Sequence, residues 1–236
     1  MSVKIESLMM KSAMLVAVVS FCLPSAGAQQ AGEKKKKGTD LIGMFAKQKR
    51  KAEMTRTTMK AKQIFYLMMA FDQDWGVFPN DATANNDVSL KGYTGKYSND
   101  YLGQLVAGGY TKAESIFFVK GGSQTELKKP DEDVTTKAKT LAAGECGFAY
   151  YKGLSTRKSA RLPLLMTPMT GKGFKFDPKP YDGMAVVLHV DGSVQHYQID
   201  ENGDAVRGNG KKLFEGGEGN PWGSKGPELK NLMLPR

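Results

Sequence analysis

Histidine and cysteine are scarce in this 236-residue chain, at two of each, and that scarcity removes several chemistries at the start. Cys22 lies in the apolar N-terminal stretch, so Cys146 would stand alone once a leader is removed, and no intramolecular disulfide remains to hold the fold. No histidine or lysine adjoins Cys146 in Glu145-Cys146-Gly147-Phe148 to activate a thiolate, which points to a buried structural cysteine. The sequence contains no G-x-S-x-G, no phosphate-binding P-loop and no H-E-x-x-H. Gly208-Asn209-Gly210-Lys211-Lys212 lacks both the spacing and the preceding strand of a phosphate cradle. No apolar run approaches the roughly 20 residues that cross a bilayer as a helix. The expectation is a non-enzymatic protein with no cofactor, no bound metal and no small-molecule substrate.

What is present begins with an export signal. Lys4 and Lys11 form a basic end, Ala13 to Leu23 an apolar core and Ala26-Gly27-Ala28 a small-residue cleavage site. Residues 1–28 therefore read as a cleaved signal peptide, with the mature chain in the periplasm or at the cell surface and no transmembrane span after cleavage. Phe21 before Cys22 argues against lipidation. Loss of Lys4, Lys11 and Glu6 lowers the net charge from +10 to +9. Residues 31–62 hold eleven cations against Glu33, Asp40 and Glu53, a local net of +8, so one element carries almost all the basicity.

Residues 29–38 are polar, lysine-rich and without apolar anchors, as expected of a disordered arm. Residues 39–236 read as a single domain, with a long helix over 39–75, a connector over 76–145, and a β-sheet and tail over 146–236. Thr39 or Asp40 is a suitable N-cap, while Gly76 and Pro79 stop the helix. Ile64, Leu67, Met68, Phe71 and Trp75 fall on one helical stripe, so the second half of the helix is expected to dock on the sheet. In the connector, Ser98-Asn99-Asp100 caps a short helix ending at Gly108-Gly109, and Thr111 to Glu114 reads as a capping box. Residues 147–151, 162–166, 184–190 and 193–199 read as strands, with Pro163 and Pro168 suiting either an edge strand or strand ends in the second. A two-residue Asp191-Gly192 turn would put Met184, Val186, Leu188, Tyr197 and Ile199 on one face, toward the helix. The fold class is α+β, with a long N-terminal helix packed on an antiparallel sheet in two layers.

His189 and His196 would then share a hairpin face diagonally, read as solvated positions because no carboxylate or thiolate accompanies them. A hydrolase built on that face would carry a metal in purified protein. Asp72 and Asp74 on the last helical turn read as surface charge. The basic segment, Lys34, Lys35, Lys36, Lys37, Lys47, Lys49, Arg50 and Lys51, has three readings: lipid or lipopolysaccharide head groups, nucleic-acid phosphates, or simple solvation.

The run Phe71-Asp72-Gln73-Asp74-Trp75-Gly76-Val77-Phe78-Pro79 resembles the exit from the first helix of type IV pilins and type II secretion pseudopilins. The stretch AVVLHVDGSV (185–194) is similar to a hairpin common in pilin-like proteins, and the tail from Glu215 to Trp222 resembles the C-terminal loop of major pseudopilins. The resemblance implies a pilin-like fold and, as partners, other pilus or secretion-system proteins. The sequence departs from that family at the prepilin processing site and the apolar half-helix after it, both missing here. Asn220-Pro221-Trp222 also stands where the pseudopilin loop places calcium-binding aspartates, leaving too few oxygen ligands. A binding module for DNA or an anionic polymer, working in uptake or adhesion through the basic helix, is the alternative.

Overall fold

A computed structural model of the protein describes residues 31–123 and 126–236, with side chains from Leu41 onward. The leader of residues 1–28, together with Gln29 and Gln30 of the arm, lies outside the described residues. Helix α1 spans Ala31–Trp75. It begins ahead of the Thr39 or Asp40 cap suggested by the sequence, and Lys34, Lys35, Lys36 and Lys37 fall on it before the first described side chain. Residues Ile42–Arg236 form one compact unit.

The docked stripe of α1 is longer than its apolar residues suggested. Ile64, Met68 and Phe71 are fully buried, each worth about 1.5–3 kcal/mol in removed apolar surface. Ala61 and Thr57 continue the same row toward the N-terminus, both buried. Thr57 escaped notice because a hydroxyl does not register as core, yet its Oγ1 hydrogen-bonds the Tyr181 hydroxyl at 2.9 Å. Leu67 and Trp75 are partly buried and pack at the margin of the core.

Gly76 ends α1 with φ +71 and donates its N–H to Asp72 O at 2.7 Å. Phe78 and Pro79 then turn inward, where Phe78 N–H bonds Leu154 O and Pro79 O accepts the Tyr150 hydroxyl at 2.7 Å. A short helix α2, Asp81–Asn86, follows early in the connector, started by Asn80 Oδ1 accepting from the N–H groups of Ala82 and Thr83. Helix α3, Ser98–Ala107, is buried along nearly its whole length. Its polar side chains are consumed internally: Gln104 donates to Asn80 O and Tyr93 O, and Asn99 donates to Leu141 O.

Among the described residues, six strands form one antiparallel sheet. They are β1 Ala149–Tyr151, β2 Pro163–Thr167, β3 Met184–His189, β4 Val194–Ile199, β5 Ala205–Val206 and β6 Leu232–Met233, in the spatial order β5-β4-β3-β2-β1-β6. Two open points are decided here. Strand β2 is central, between β1 and β3, so its prolines mark strand ends and not an edge: Pro163 is its first residue, where a missing N–H costs little, and Pro168 follows its last. The hairpin turn places three residues, Val190, Asp191 and Gly192, between the bonded pair His189 and Ser193, closed by Gly192 N–H to His189 O and His189 N–H to Ser193 O. Leu188 therefore pairs with Val194 and Val186 with His196, one step from the register of a two-residue turn. A slip of one residue reverses a strand's faces, so Tyr197 and Ile199 lie opposite to Met184, Val186 and Leu188.

The sheet is covered on both sides. Its Val186/His196 face meets α1, where Thr58 Oγ1 bonds His196 Nε2 at 2.8 Å. On the other face Tyr151 packs on Trp222 at 4.7 Å and Phe174 stacks on Phe214 at 4.6 Å. The C-terminal segment thus supplies a third layer, and β3 is apolar from Met184 to Leu188 because both its faces are buried.

Candidate functional site

The basic segment divides by what each cation does. Arg50 pairs with Asp182 at 3.1 Å and Arg56 with Glu53 at 3.0 Å, both at the surface. Lys60 Nζ donates to Ser115 O at 2.8 Å and Phe118 O at 2.7 Å, and burial draws its pKa down against the opposing pull of Glu53. That lysine ties α1 to the connector. Lys47, Lys49 and Lys51 are exposed and have no ion-pair partner among the described residues. Beside them Ile42, Met44 and Phe45 stand 72%, 61% and 68% exposed. A groove of about 470 Å³ runs along this part of α1, lined by Lys49, Arg56, Lys60, Lys120, Glu53 and Phe118.

The two histidines are separated by the sheet. His196 reaches α1, whereas His189 is buried on the far face with Nδ1 near Arg161 O and Nε2 2.9 Å from the Tyr197 hydroxyl. Its burial corrects the reading as a solvated position, and the opposite faces preclude a joint metal site. Burial holds the His189 pKa below its ordinary 6.5, against weaker upward pulls from Arg161 O and Asp191. The unfolded chain therefore takes up the proton first, so stability is complete above about 6.5 and is lost as pH falls toward the folded value. A thermal melt from about pH 7 to about pH 5 should show a smaller drop in His189→Gln than in the unmodified protein. Equal drops would deny His189 a share in the acid sensitivity.

Asp72 and Asp74 part in the same way. Asp72 is buried, with Oδ2 accepting from Thr156 Oγ1 at 2.5 Å, so it is no surface charge. Asp74 is exposed and accepts the Tyr110 hydroxyl at 2.6 Å, where burial and that carboxylate push the phenol up to about 12. Both anchor the end of α1. Cys146 is fully buried, its thiol pushed up to about 12 by burial, in keeping with the structural reading. In the tail, Asn220 is consumed as a brace: Oδ1 accepts from Arg207 Nη2 and Nδ2 donates to Gly216 O.

Sequence reasoning missed Glu114 and Glu145. Both are completely buried carboxylates. Thr111 and Glu114 form no capping box; Glu114 begins a turn of 3-10 helix, and its Oε1 accepts from Leu141 N–H at 2.5 Å. Two glutamates 31 positions apart give no local signal, and the fold alone brings them together with Asp131. Among the described residues no helix is long and apolar enough to cross a membrane. No family model, no curated protein and no solved structure matches the chain.

Proposed function

We propose that the chain is an exported, non-enzymatic, pilin-like structural or surface-interaction protein, associated with a pilus or type II secretion-like system. It meets an anionic surface through residues 42–51 of α1. The leader-like N-terminus supports export, and the Trp75-to-Pro79 helix exit with the AVVLHVDGSV hairpin supports the pilin-like reading. The observation that carries the surface contact is the pairing of exposed Ile42, Met44 and Phe45 with uncommitted Lys47, Lys49 and Lys51 on successive turns. Apolar side chains at a helix end can enter the head-group boundary while neighbouring lysines hold anionic groups. Naked duplex DNA would use the lysines and leave the apolar residues in water.

Co-sedimentation with phosphatidylglycerol-containing vesicles tests the contact. Binding should weaken sharply between about 50 and about 300 mM salt as screening shortens. The triple variant Lys47→Gln/Lys49→Gln/Lys51→Gln should lose roughly 100-fold in affinity, at about 1 kcal/mol per lysine, with an unchanged melting curve. Salt-insensitive or unaltered binding would remove the basic helix from the function, and tighter binding to duplex DNA than to vesicles would favour the nucleic-acid alternative. Association with a pilus is tested by fractionating cells with and without an assembly defect. An unaltered distribution of the protein would count against it.

A further inference from the structure

Buried carboxylates near one another need a proton or a cation, because a charge removed from water is costly unless compensated. Glu114, Asp131 and Glu145 come from three separate parts of the connector and place oxygens within 4.8 Å of one another. The two glutamates are held in the same manner. Glu114 Oε1 accepts from Leu141 N–H at 2.5 Å and Glu145 Oε2 from Ala142 N–H at 2.8 Å. Their other oxygens, Glu114 Oε2 and Glu145 Oε1, are buried without a hydrogen-bond partner.

Nothing nearby neutralises this arrangement well. Lys128 Nζ is 3.9 Å from Glu145 Oε1, beyond hydrogen-bond distance, and its side chain is largely in solvent. Glu132 adds a further carboxylate, but its two oxygens are occupied by the N–H groups of Glu114 and Ser115 at 2.6 and 3.1 Å. Burial raises the Glu114 pKa, and Glu145, Asp131 and Glu132 raise it further by charge repulsion, which a bound cation would reverse. Asp131 is exposed, so the cluster opens to solvent on that side.

We infer that Glu114, Asp131 and Glu145 form a binding site for a hard divalent cation, calcium by preference. All three donors are carboxylate oxygens, which suit calcium or magnesium and not the softer metals that favour imidazole or thiolate. Calcium accepts six to eight oxygens at about 2.3–2.6 Å in flexible geometry, which suits carboxylates gathered from three separate segments, whereas magnesium demands a near-ideal octahedron at about 2.0–2.1 Å. The mouth at Asp131 leaves room for the waters that complete calcium coordination. The site uses none of the α1 residues of the proposed surface contact and stands independently of it.

Calorimetric titration of the EDTA-treated full chain with CaCl₂, followed by thermal melts with CaCl₂ or MgCl₂, tests the site. One saturable calcium site and a rise in melting temperature are expected, with a smaller rise in magnesium. Asp131→Asn, at an exposed position, should weaken calcium binding roughly tenfold while the metal-free melt stays unchanged. Glu145→Gln should abolish the calcium response and raise the metal-free melting temperature, since it removes one of the crowded charges. Absence of saturable calcium binding to the folded protein would overturn the inference, as would a calcium response retained in both variants. A magnesium response equal to or larger than that of calcium would overturn the choice of calcium.

Discussion

Phe71→Ala should destabilise the protein by about 3–5 kcal/mol, read as a lowered midpoint in urea with an unchanged slope. Phe71 is fully buried, stacked on Trp75 at 5.8 Å and tilted against Tyr110 at 5.3 Å. Truncation removes the ring's burial and leaves a cavity between the end of α1 and the Tyr110 loop, which Asp74 holds from the other side. Against a typical total of about 5–15 kcal/mol, the loss would bring the protein close to unfolding. Tyr66→Ala, one turn away but 71% exposed, should change stability by no more than about 0.5 kcal/mol. If the two variants melt alike, Phe71 is not at the core of the helix–sheet junction.

The second large effect is expected at the hairpin. Gly192 has φ +80, and a Cβ added there would come within 2.4 Å of the Phe65 ring on α1. An alanine would meet a left-handed backbone cost of about 1–2 kcal/mol. Displacing Phe65 from its packing adds about 1–3 kcal/mol. Gly210→Ala separates the two contributions, since Gly210 has φ +78 with nothing within 4 Å of the added carbon, so it should carry the backbone cost alone. Adding Phe65→Ala to Gly192→Ala should recover part of the loss as a favourable coupling energy. Equal urea midpoints for Gly192→Ala and Gly210→Ala would show that the hairpin tip does not press on the helix.

Local features were legible where one physical rule dominated. The period of Ile64, Met68 and Phe71 fixed the buried face of α1, because a helix repeats every 3.6 residues whatever lies beneath it. Gly76 and Pro79 fixed its end, and Asp-Gly marked the hairpin. The same residues left the register open. Asp191-Gly192 suits a two-residue or a three-residue loop, and choosing between them turns Tyr197 and Ile199 to opposite faces. Sequence alternation could not choose, since Met184 to Leu188 of β3 are apolar at every position and offer β4 an apolar partner on either face.

By itself the sequence determined an α+β chain with a long helix, a leader-like N-terminus and basicity confined to one element. Each of these follows from neighbours a few residues apart. Only the tertiary structure decided that β2 is central, that His189 and His196 lie on opposite faces, and that β6 pairs with β1. It alone also set Lys60 to hold the connector while Lys47, Lys49 and Lys51 stay uncommitted, and brought Glu114, Asp131 and Glu145 together. Charges and imidazoles carry no local mark of their partners: their energies depend on burial and on groups distant in sequence, and only the folded chain supplies both.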